Sequence, residues 1–377
     1  MNDLALILDI GSSRLPVERQ PDGRLQEYPS GGSLKIRAVE IATGNTVAYF
    51  PNPNGSDDAA NTSFRRSLAG QPPRAFVERC ARQVEKVLAA RGIAGSRVTH
   101  LVNGFPAFIV NNTALQVMNL RYPQNGRWVH WTQVPLGDLW QEAFSGSLPR
   151  LAHILVVNDL VCGIGAYLRA RQAELQAGDH ILLILPGGGC GVAEALCLGE
   201  EVLIMGQEQG HNFYVPMQPL AGPPRPERLE EGYCSSTAFE RNYRQLTGQD
   251  CPWAEVIRRA AAGDPAALRL VDRYVEGLAY LTSHAVNRGV NRIVITGVVT
   301  EKINAAFTPQ SPNYLEAGIR AHFEHIARLD LVELNRVRFD PFSIHDNTEG
   351  GIALIQAQPV APHKGGLLRV KRQDLAT

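Results

Sequence analysis

The chain has 377 residues, enough for two ordinary domains, and its 44% hydrophobic and 20% charged residues are typical of a globular protein. Lys plus Arg and Asp plus Glu each number 37, so the formal net charge is zero, which argues against a surface that coats nucleic acid or binds membrane through basic residues. The apolar run at the N-terminus is short and lacks a basic segment, and no apolar run in the sequence reaches membrane-spanning length. We therefore expect a cytoplasmic protein with neither nucleic acid nor membrane as a partner.

The cysteines form no C-x-x-C pair, and three of them lie in apolar stretches. This usage favours buried thiols in a reducing cytosol over a disulfide framework. The six are Cys80, Cys162, Cys190, Cys197, Cys234 and Cys251.

The first half of the chain is predicted to mix strands and helices, with a polar loop over 12–32 that is rich in proline and glycine. Apolar runs and alternation mark the strands, and apolar residues at helical spacing mark the helices. In chain order, the elements are strands over 4–10, 34–41 and 46–50, a helix over 73–91, a strand over 98–102, a helix over 134–144, a strand over 154–157 and a helix over 159–175.

The second half repeats this organisation with more helix. Its elements are strands over 181–185, 192–198 and 202–205, helices over 227–246, 253–262 and 264–287, a strand over 292–296, a helix over 314–326 and a strand over 332–339. Each half opens with an apolar strand that runs into a glycine turn. The pattern predicts two related α/β domains with a cleft between them, a duplication visible in pattern and not in sequence identity.

Two short motifs follow predicted strands. Asp9-Ile10-Gly11 places a carboxylate at the carboxyl end of the first strand, where ligands of α/β sheets gather, although such tripeptides are common. Asn158-Asp159 lies where a buried strand meets a helix. Asp159 there could be a helix N-cap or a general base, and spacing alone leaves the two interpretations even.

The run Gly187-Gly188-Gly189-Cys190-Gly191 follows a strand and precedes another. A tight hairpin needs one or two glycines, whereas four leave backbone amides open to a phosphate group. No lysine follows, so this is not a P-loop, and no helix follows, so a Rossmann turn fits poorly.

Glu208-Gln209-Gly210-His211 carries two polar side chains on either side of a glycine. A metal site is a poor interpretation because no further ligand lies at a suitable spacing. A lone histidine is more often a structural hydrogen-bonding residue. The pair could also bind neighbouring hydroxyl groups of a sugar.

Taken together and in order, these motifs resemble those of the bacterial glucokinases and the wider ROK sugar kinases. The resemblance covers most of the chain, and the order of the motifs is its specific part. The matching segments are Asp9-Ile10-Gly11, Asn119-Leu120 with Trp131, Val156 to Asp159, Leu185 to Ala193, Glu208 to His211, Glu231 ahead of Ser235, Ile293 to Gly297, and His345-Asp346-Asn347 with Gly350-Gly351.

The resemblance implies two ribonuclease-H-like domains of the sugar kinase/actin-like ATPase fold. It implies a smaller domain over 1–157 with an insertion at about 12–30, a larger domain over 158–346, and a segment over 347–377 that returns to the smaller domain. It implies phosphorylation of a hydroxyl group, by analogy O6, of glucose or a glucose-like sugar by ATP with Mg²⁺. It also implies a homodimer.

The resemblance assigns the roles of the site residues. Asp159 is the catalytic base, and Asp9 holds Mg²⁺, possibly through water. The substrate-binding residues are Asn119, Asn158, Glu208, His211 and Glu231. The residues that bind ATP and its phosphates are Gly11, Ser12, Ser33, Gly187, Gly188, Gly189, Gly191 and Gly297.

The sequence departs from the family pattern on the nucleotide side. Ser12-Ser13 or Ser33 takes the place of a threonine in the first loop, and the sequence does not decide between them. Gly188 stands where a threonine is usual, and Val298 where a second glycine is usual. The zinc cysteines of ROK proteins are missing, with only Cys234 nearby, so we expect no structural zinc.

Three alternatives remain open. One is a kinase of an amino sugar, and another is a kinase of a C7-cyclitol in secondary metabolism. The third is a non-catalytic sugar-sensing pseudokinase, which Gly188 and Val298 favour. A ROK repressor is disfavoured because no helix-turn-helix precedes the first strand.

Overall fold

A computed structural model describes most of the chain. The described residues are 2–13, 18–19, 25–26, 31–50, 64, 66–207, 213–215, 226–308, 313–326, 336–344, 347–356 and 367–375. By spatial contact the chain forms two compact units. The first comprises Met1–Ala177, Cys197–Gln207 and Asp346–Thr377, and the second comprises Gly178–Leu196 and Glu208–His345. The domain boundaries expected from the sequence stay a prediction.

The described strands are numbered in chain order. They are β1 (Leu4–Ser13), β2 (Glu18–Arg19), β3 (Leu25–Gln26), β4 (Gly31–Glu40), β5 (Thr46–Phe50), β6 (Val98–Phe105), β7 (Phe108–Val110), β8 (Thr113–Gln124), β9 (Arg127–Val134), β10 (His153–Asn158), β11 (His180–Pro186), β12 (Cys190–Leu198), β13 (Glu201–Gln207), β14 (Tyr214–Val215), β15 (Glu227–Arg228), β16 (Arg292–Ile295), β17 (Arg338–Phe339) and β18 (Leu367–Lys371).

The described α-helices are numbered in the same way. They are α1 (Pro73–Ala90), α2 (Leu136–Phe144), α3 (Asp159–Arg171), α4 (Leu229–Gly232), α5 (Ser236–Thr247), α6 (Trp253–Ala261), α7 (Pro265–Val286), α8 (Val298–Phe307), α9 (Tyr314–Ile326) and α10 (Thr348–Gln356). None of these helices combines the length and the apolar character that a membrane crossing needs.

The first unit is built on a five-stranded sheet in the order β10-β6-β1-β4-β5. Strand β4 runs antiparallel to β1, and β5 runs antiparallel to β4, whereas β6 and β10 run parallel to β1. Strands β7, β8 and β9 form a separate antiparallel sheet, and β13 pairs with β18. Parallel strands direct their carboxyl ends to one edge, so this sheet presents the ends of β1, β6 and β10 side by side.

The second unit contains the strand order β12-β11-β16-β17. Strand β12 is the antiparallel hairpin partner of β11, and β16 and β17 run parallel to β11. This order repeats β4-β1-β6-β10 of the first unit, including the direction of every strand. The duplication expected from the pattern is therefore present in the strand order.

Each unit encloses its own hydrophobic core. In the first unit, α1 presents Phe76, Cys80 and Val84 at helical spacing, and the ring of Phe76 meets that of Trp131 edge to face at 5.1 Å. In the second unit, α7 begins at the expected N-cap, where Asp264 accepts hydrogen bonds from the amides of Ala266 and Ala267. Burial of α7 against the sheet then closes this core.

Two sequence expectations are wrong at the level of elements. The polar loop expected over 12–32 is shorter, because β1 continues to Ser13 and β4 starts at Gly31, and these two residues are paired. The helix expected over 227–246 is interrupted between α4 and α5, where Tyr233 leaves helical geometry and Ser235 caps the next helix. Of the strand expected over 332–339, residues 332–335 lie outside the described residues.

Candidate active site

The parallel pairing of β1, β6 and β10 in the first unit ends near two carboxylate residues with a glycine between them. The sequence predicted Asp9 at the end of its strand, but β1 continues to Ser13, and Asp9 lies where the pairing of β1 with β6 ends. Asp9 of β1 is the register partner of Gly104 on β6, and Gly104 is the partner of Val157 on β10. Neighbouring strands lie about 4.8 Å apart, so Asp9 and Val157 are separated by about 10 Å across the sheet. Asp159 follows Val157 by two residues, which brings the predicted metal ligand and the predicted base to the same sheet edge.

Asn158 and Asp159 occupy different positions of helix α3. Asn158 is the N-cap, with extended backbone geometry, and its Oδ1 accepts a hydrogen bond of 3.0 Å from the amide of Leu160. Asp159 is the first helical residue, and its Oδ1 also lies 3.0 Å from that amide. The capping role that the sequence left open for Asp159 belongs to Asn158. The carboxylate of Asp159 stands in the first turn, where the helix dipole stabilises negative charge.

The side chain of Asn158 is fixed at both ends. It is 4% exposed, and its Nδ2 donates a hydrogen bond of 3.0 Å to the carbonyl of Ala107, which follows β6. The turn that carries Asp159 is thereby tied to the loop beyond β6.

Asp9 is 6% exposed and lies opposite Lys35 in the β1–β4 hairpin. The Lys35 Nζ is 3.4 Å from the Asp9 Oδ2. A carboxylate oxygen at this position suits Mg²⁺, which favours one or two carboxylates together with phosphate oxygens. The sequence did not predict Lys35 as a residue of this site. Its pairing with Asp9 depends on the register between β1 and β4, which the long segment between these strands does not reveal.

Gly104 leaves the space between the two carboxylate residues open. A Cβ atom at this position would lie 3.3 Å from the Asp159 Cα and 3.2 Å from the Cys162 Sγ. Both distances are tighter than ordinary carbon contacts of about 3.5–4.0 Å. The absence of a side chain at Gly104 therefore allows the first turn of α3 to approach β6.

Helix α3 is also packed closely against α10 near the end of the chain. A Cβ atom at Gly350 would overlap the carbonyl oxygen of Cys162, and one at Gly165 would lie 3.0 Å from the carbonyl oxygen of Gly350. A Cβ atom at Gly351 would overlap the Ile7 side chain of β1. The glycine pair that follows the His-Asp-Asn segment thus lets α10 contact both α3 and β1.

In the second unit, the glycine-rich run forms the turn between β11 and β12, with Pro186 and Cys190 as the closing pair. The amide of Gly187 donates a hydrogen bond of 2.8 Å to the carbonyl of Gly189. The start of α5 holds the turn from outside, because the Ser236 amide donates to the Gly187 carbonyl at 2.8 Å.

The conformation of this turn does not itself require glycine. The four glycines Gly187, Gly188, Gly189 and Gly191 all lie outside the positive-φ region. A Cβ atom at Gly187 or Gly188 would have no described atom within 4 Å. What glycine supplies here is access to the backbone, which supports a phosphate-binding role over a merely tight hairpin.

Gly297 lies beside this turn. It has φ +104°, which requires glycine, and it precedes helix α8. A Cβ atom there would be 3.1 Å from the carbonyl oxygen of Pro186. The next residue, Val298, is 53% exposed. The structure therefore brings together, within one unit, the glycine turn and Gly297, both of which were predicted to bind nucleotide.

The remaining predicted site residues are described incompletely. Glu208 and His211 lie outside the described residues. The structure describes the backbone, but not the side chains, of Asn119, Ser12, Ser33 and Glu231. Register places Ser33 opposite Gly11 and Ser12 opposite Gly32, so both serines remain candidates for the first phosphate loop.

The backbone around Glu231 is held on both sides. The Ser235 Oγ donates a hydrogen bond of 2.6 Å to the Glu230 carbonyl. The Asn242 Nδ2 donates one of 3.0 Å to the Gly232 carbonyl. Ser235 is thus both the cap of α5 and a support for the backbone of the α4 turn.

Cys234, the cysteine nearest the position of the ROK zinc site, is fully buried. Its Sγ donates to the Tyr274 carbonyl at 3.5 Å, and burial raises the pKa of this thiol well above its ordinary value. Within the described part of the chain, no three His, Cys, Asp or Glu side chains are grouped as metal ligands. The expectation of no structural zinc stays a prediction.

Residues 72–323 match the family model described as the ROK family, which is well over half of the chain. The chain belongs to the ROK family. A curated relative named "Bifunctional protein glk", from Burkholderia thailandensis, is 26% identical, and the match covers 59% of this chain and 36% of that relative. The chain thus spans little more than a third of the length of the curated relatives it matches.

Solved ROK structures share the fold. A ROK family transcriptional regulator, a homologue of the E. coli MLC protein, has a TM-score of 0.59 at 17% identity, covering 98% of this chain and 78% of that chain. A ROK family glucokinase from Streptomyces griseus, in complex with glucose and AMPPNP, has a TM-score of 0.55 at 16% identity, covering 93% of this chain and 97% of that one. The family and the mixed α/β fold expected from the ordered motifs are confirmed.

Proposed function

We propose that this ROK protein transfers the γ-phosphoryl group of ATP to a hydroxyl group of glucose or a glucose-like sugar, by analogy O6. One observation carries the proposal, namely that Asp9 and Asp159 lie at one sheet edge with Gly104 between them. Two carboxylates in this arrangement can serve a metal-bound phosphate and a substrate hydroxyl at the same time. The likeness to the Streptomyces griseus glucokinase, solved in complex with glucose and AMPPNP, supports the choice of sugar and donor.

In the proposed reaction, Asp159 accepts the proton of the attacking hydroxyl as its oxygen forms a bond to the γ-phosphorus. The bond between that phosphorus and the β–γ bridging oxygen breaks in line, and ADP leaves. Asp9 would hold Mg²⁺, which neutralises charge on the phosphate oxygens when bound. Positioning and charge stabilisation supply most of the acceleration in this chemistry.

Each predicted binding residue has a task in this proposal. The amides of the turn that begins at Gly187, together with Gly297, bind phosphate and nucleotide. Asn158 orients the sugar beside the base, and Glu208, His211, Glu231 and Asn119 bind its hydroxyl groups. The altered positions Gly188 and Val298 lie on the nucleotide side. If the protein lacks kinase activity, we therefore expect ATP binding to be the step that is lost.

A second candidate is a sugar-binding protein without catalysis. Exposed Val298, in place of a family glycine, and the likeness to a transcriptional regulator favour it. A sensor of this kind binds sugar and not ATP. Screening ATP consumption over hexoses, amino sugars and cyclitols separates the two candidates and identifies the acceptor.

The decisive test is the variant Asp159→Asn, which keeps the shape of the side chain and removes its basicity. We expect turnover to fall by about 10²- to 10⁴-fold, as the loss of a general base does, while the circular dichroism spectrum stays unchanged. Asp138→Asn is the matched control, because Asp138 is also in the first turn of a helix, is exposed, and belongs to the same unit. Near-normal turnover by Asp159→Asn contradicts the proposed role of Asp159.

A further inference from the structure

Gly206, near the end of β13, is packed against the turn that carries Asp159. A Cβ atom at this buried position would overlap the Val161 Cγ2 and would lie 2.9 Å from the Asn158 Cβ and 3.0 Å from the Asn158 Oδ1. Ordinary carbon contacts are about 3.5–4.0 Å. Only a glycine therefore allows β13 to lie this close to the start of α3.

The need for glycine at this position is steric. Gly206 is outside the positive-φ region, so any residue could adopt its backbone conformation. A glycine inside a strand weakens the strand and commonly marks the close approach of another part of the chain. Here the neighbour that approaches is the Asn158-Asp159 turn.

The neighbours of Gly206 have little freedom to move aside. Asn158 is held by the Leu160 amide and the Ala107 carbonyl, so a rotation of its side chain breaks two hydrogen bonds. Val161 lies in the first turn of α3 and is β-branched, which restricts its side chain to essentially one rotamer in a helix. A methyl group at Gly206 would consequently displace either β13 or the turn itself.

We propose that Gly206 is a positioning residue, which fixes the place of the Asn158-Asp159 turn by letting β13 pack directly against it. This inference rests on the proposed function. Gly206 makes no contact with substrate in this role, and its effect is transmitted to Asp159 through Asn158 and Val161.

The test is Gly206→Ala, with kinetics measured separately for sugar and ATP. A displacement of about 1 Å at a reacting group can cost about 10²-fold, so we expect kcat/KM for the sugar to fall by about 10- to 100-fold. The KM for ATP should stay within about twofold, because the glycine turn and Gly297 belong to the other unit. Gly146→Ala is the matched control, since its methyl group would have no described atom within 4 Å and its kinetics should equal those of the wild type.

A compensating variant distinguishes positioning from general damage. Val161→Ala removes the atom nearest the added methyl, so in the Gly206→Ala background it should restore kcat/KM for the sugar by about threefold or more, as coupled neighbours do. If Gly206→Ala does not fold, the double variant is compared with Val161→Ala for the same kinetic split. An increase in the KM for ATP as large as the decrease in kcat/KM for the sugar overturns the inference. Failure of Val161→Ala to restore kcat/KM for the sugar in the Gly206→Ala background overturns it as well.

Separate outcomes would refute the positioning role of Gly206 and the proposed function. An active wild type with an unaltered Gly206→Ala variant overturns the positioning role alone. A wild type that phosphorylates no acceptor in the screen overturns the proposed function and this inference with it.

Discussion

Asn158 contributes to the site through both of its amide atoms. The oxygen caps α3, and the nitrogen binds the Ala107 carbonyl. The residue is therefore a structural support of the base as well as a predicted contact of the sugar. This double role makes its removal measurable in the free energy of unfolding even when no ligand is present.

We predict that Asn158→Ala lowers the free energy of unfolding by about 1–3 kcal/mol, since it removes a helix cap and leaves a buried carbonyl without its donor. Urea denaturation monitored by circular dichroism measures this change. Equal stability of Asn158→Ala and the wild type contradicts the capping role.

At the level of single residues, the sequence predicted the base turn and the glycine turn, because each motif is contiguous and follows a recognisable strand. It did not predict Lys35 or Gly206. Their importance comes from contacts with residues 26 and 48 positions away in the sequence, Asp9 and Asn158. Such contacts depend on strand register, which a single sequence does not reveal.

At the level of elements, the β8–β9 hairpin is the largest feature that the sequence reasoning missed. Its loop is Asn125-Gly126, and both residues have positive φ, as a type I′ turn requires. The signal was present in the sequence, with this dipeptide between two alternating segments.

Two stacked histidines lie near the starts of β6 and β10, at the end of the first sheet opposite to Asp9. His100 on β6 and His153 on β10 are register partners, and their rings stack with centroids 4.4 Å apart. Burial lowers the pKa of His100, and the neighbouring His153 lowers it further, whereas Asp3 opposes the shift.

This arrangement predicts a loss of stability in mild acid. A histidine with a lowered folded pKa stabilises the protein fully above its unfolded pKa of about 6.5, and this contribution is lost as the pH falls through the folded value. His153→Gln removes the neighbouring charge, so the decrease in Tm between about pH 7 and 5 should become smaller. The exposed His130→Gln is the control, and parallel Tm curves for His153→Gln and the wild type would show that the pair has no such role.

At the level of the whole molecule, two units repeat one strand order, with a separate core in each. The carboxylate residues belong to the first unit, and the glycine turn belongs to the second. The pattern of strands and glycine turns was sufficient to predict this repetition. The assignment of the chain end to the first unit came from the resemblance and not from any local pattern.

This division predicts separable effects of the two ligands on thermal stability. Sugar and ATP with Mg²⁺ should each raise the Tm, since a ligand at about 100 times its Kd adds about 2.7 kcal/mol to the free energy of unfolding. Gly188→Ala adds a methyl group with no described atom within 4 Å, so the fold should be retained while the shift with ATP decreases and the shift with sugar persists. A full ATP shift in this variant contradicts phosphate binding by the turn, and a wild type that responds only to sugar favours the sensor.

The packing of α10 against α3 has a consequence for the order in which the protein can fold. Helix α3 is synthesised early, but its partner Gly350 is added almost two hundred residues later. Because chains emerge from the ribosome N-terminus first, the face of α3 that α10 covers remains unprotected until synthesis is nearly complete. The second unit is largely contiguous in sequence and can form its core in the meantime. The base-carrying unit is therefore expected to be the last to reach its native packing, and nascent chains shortened before residue 350 should expose this face.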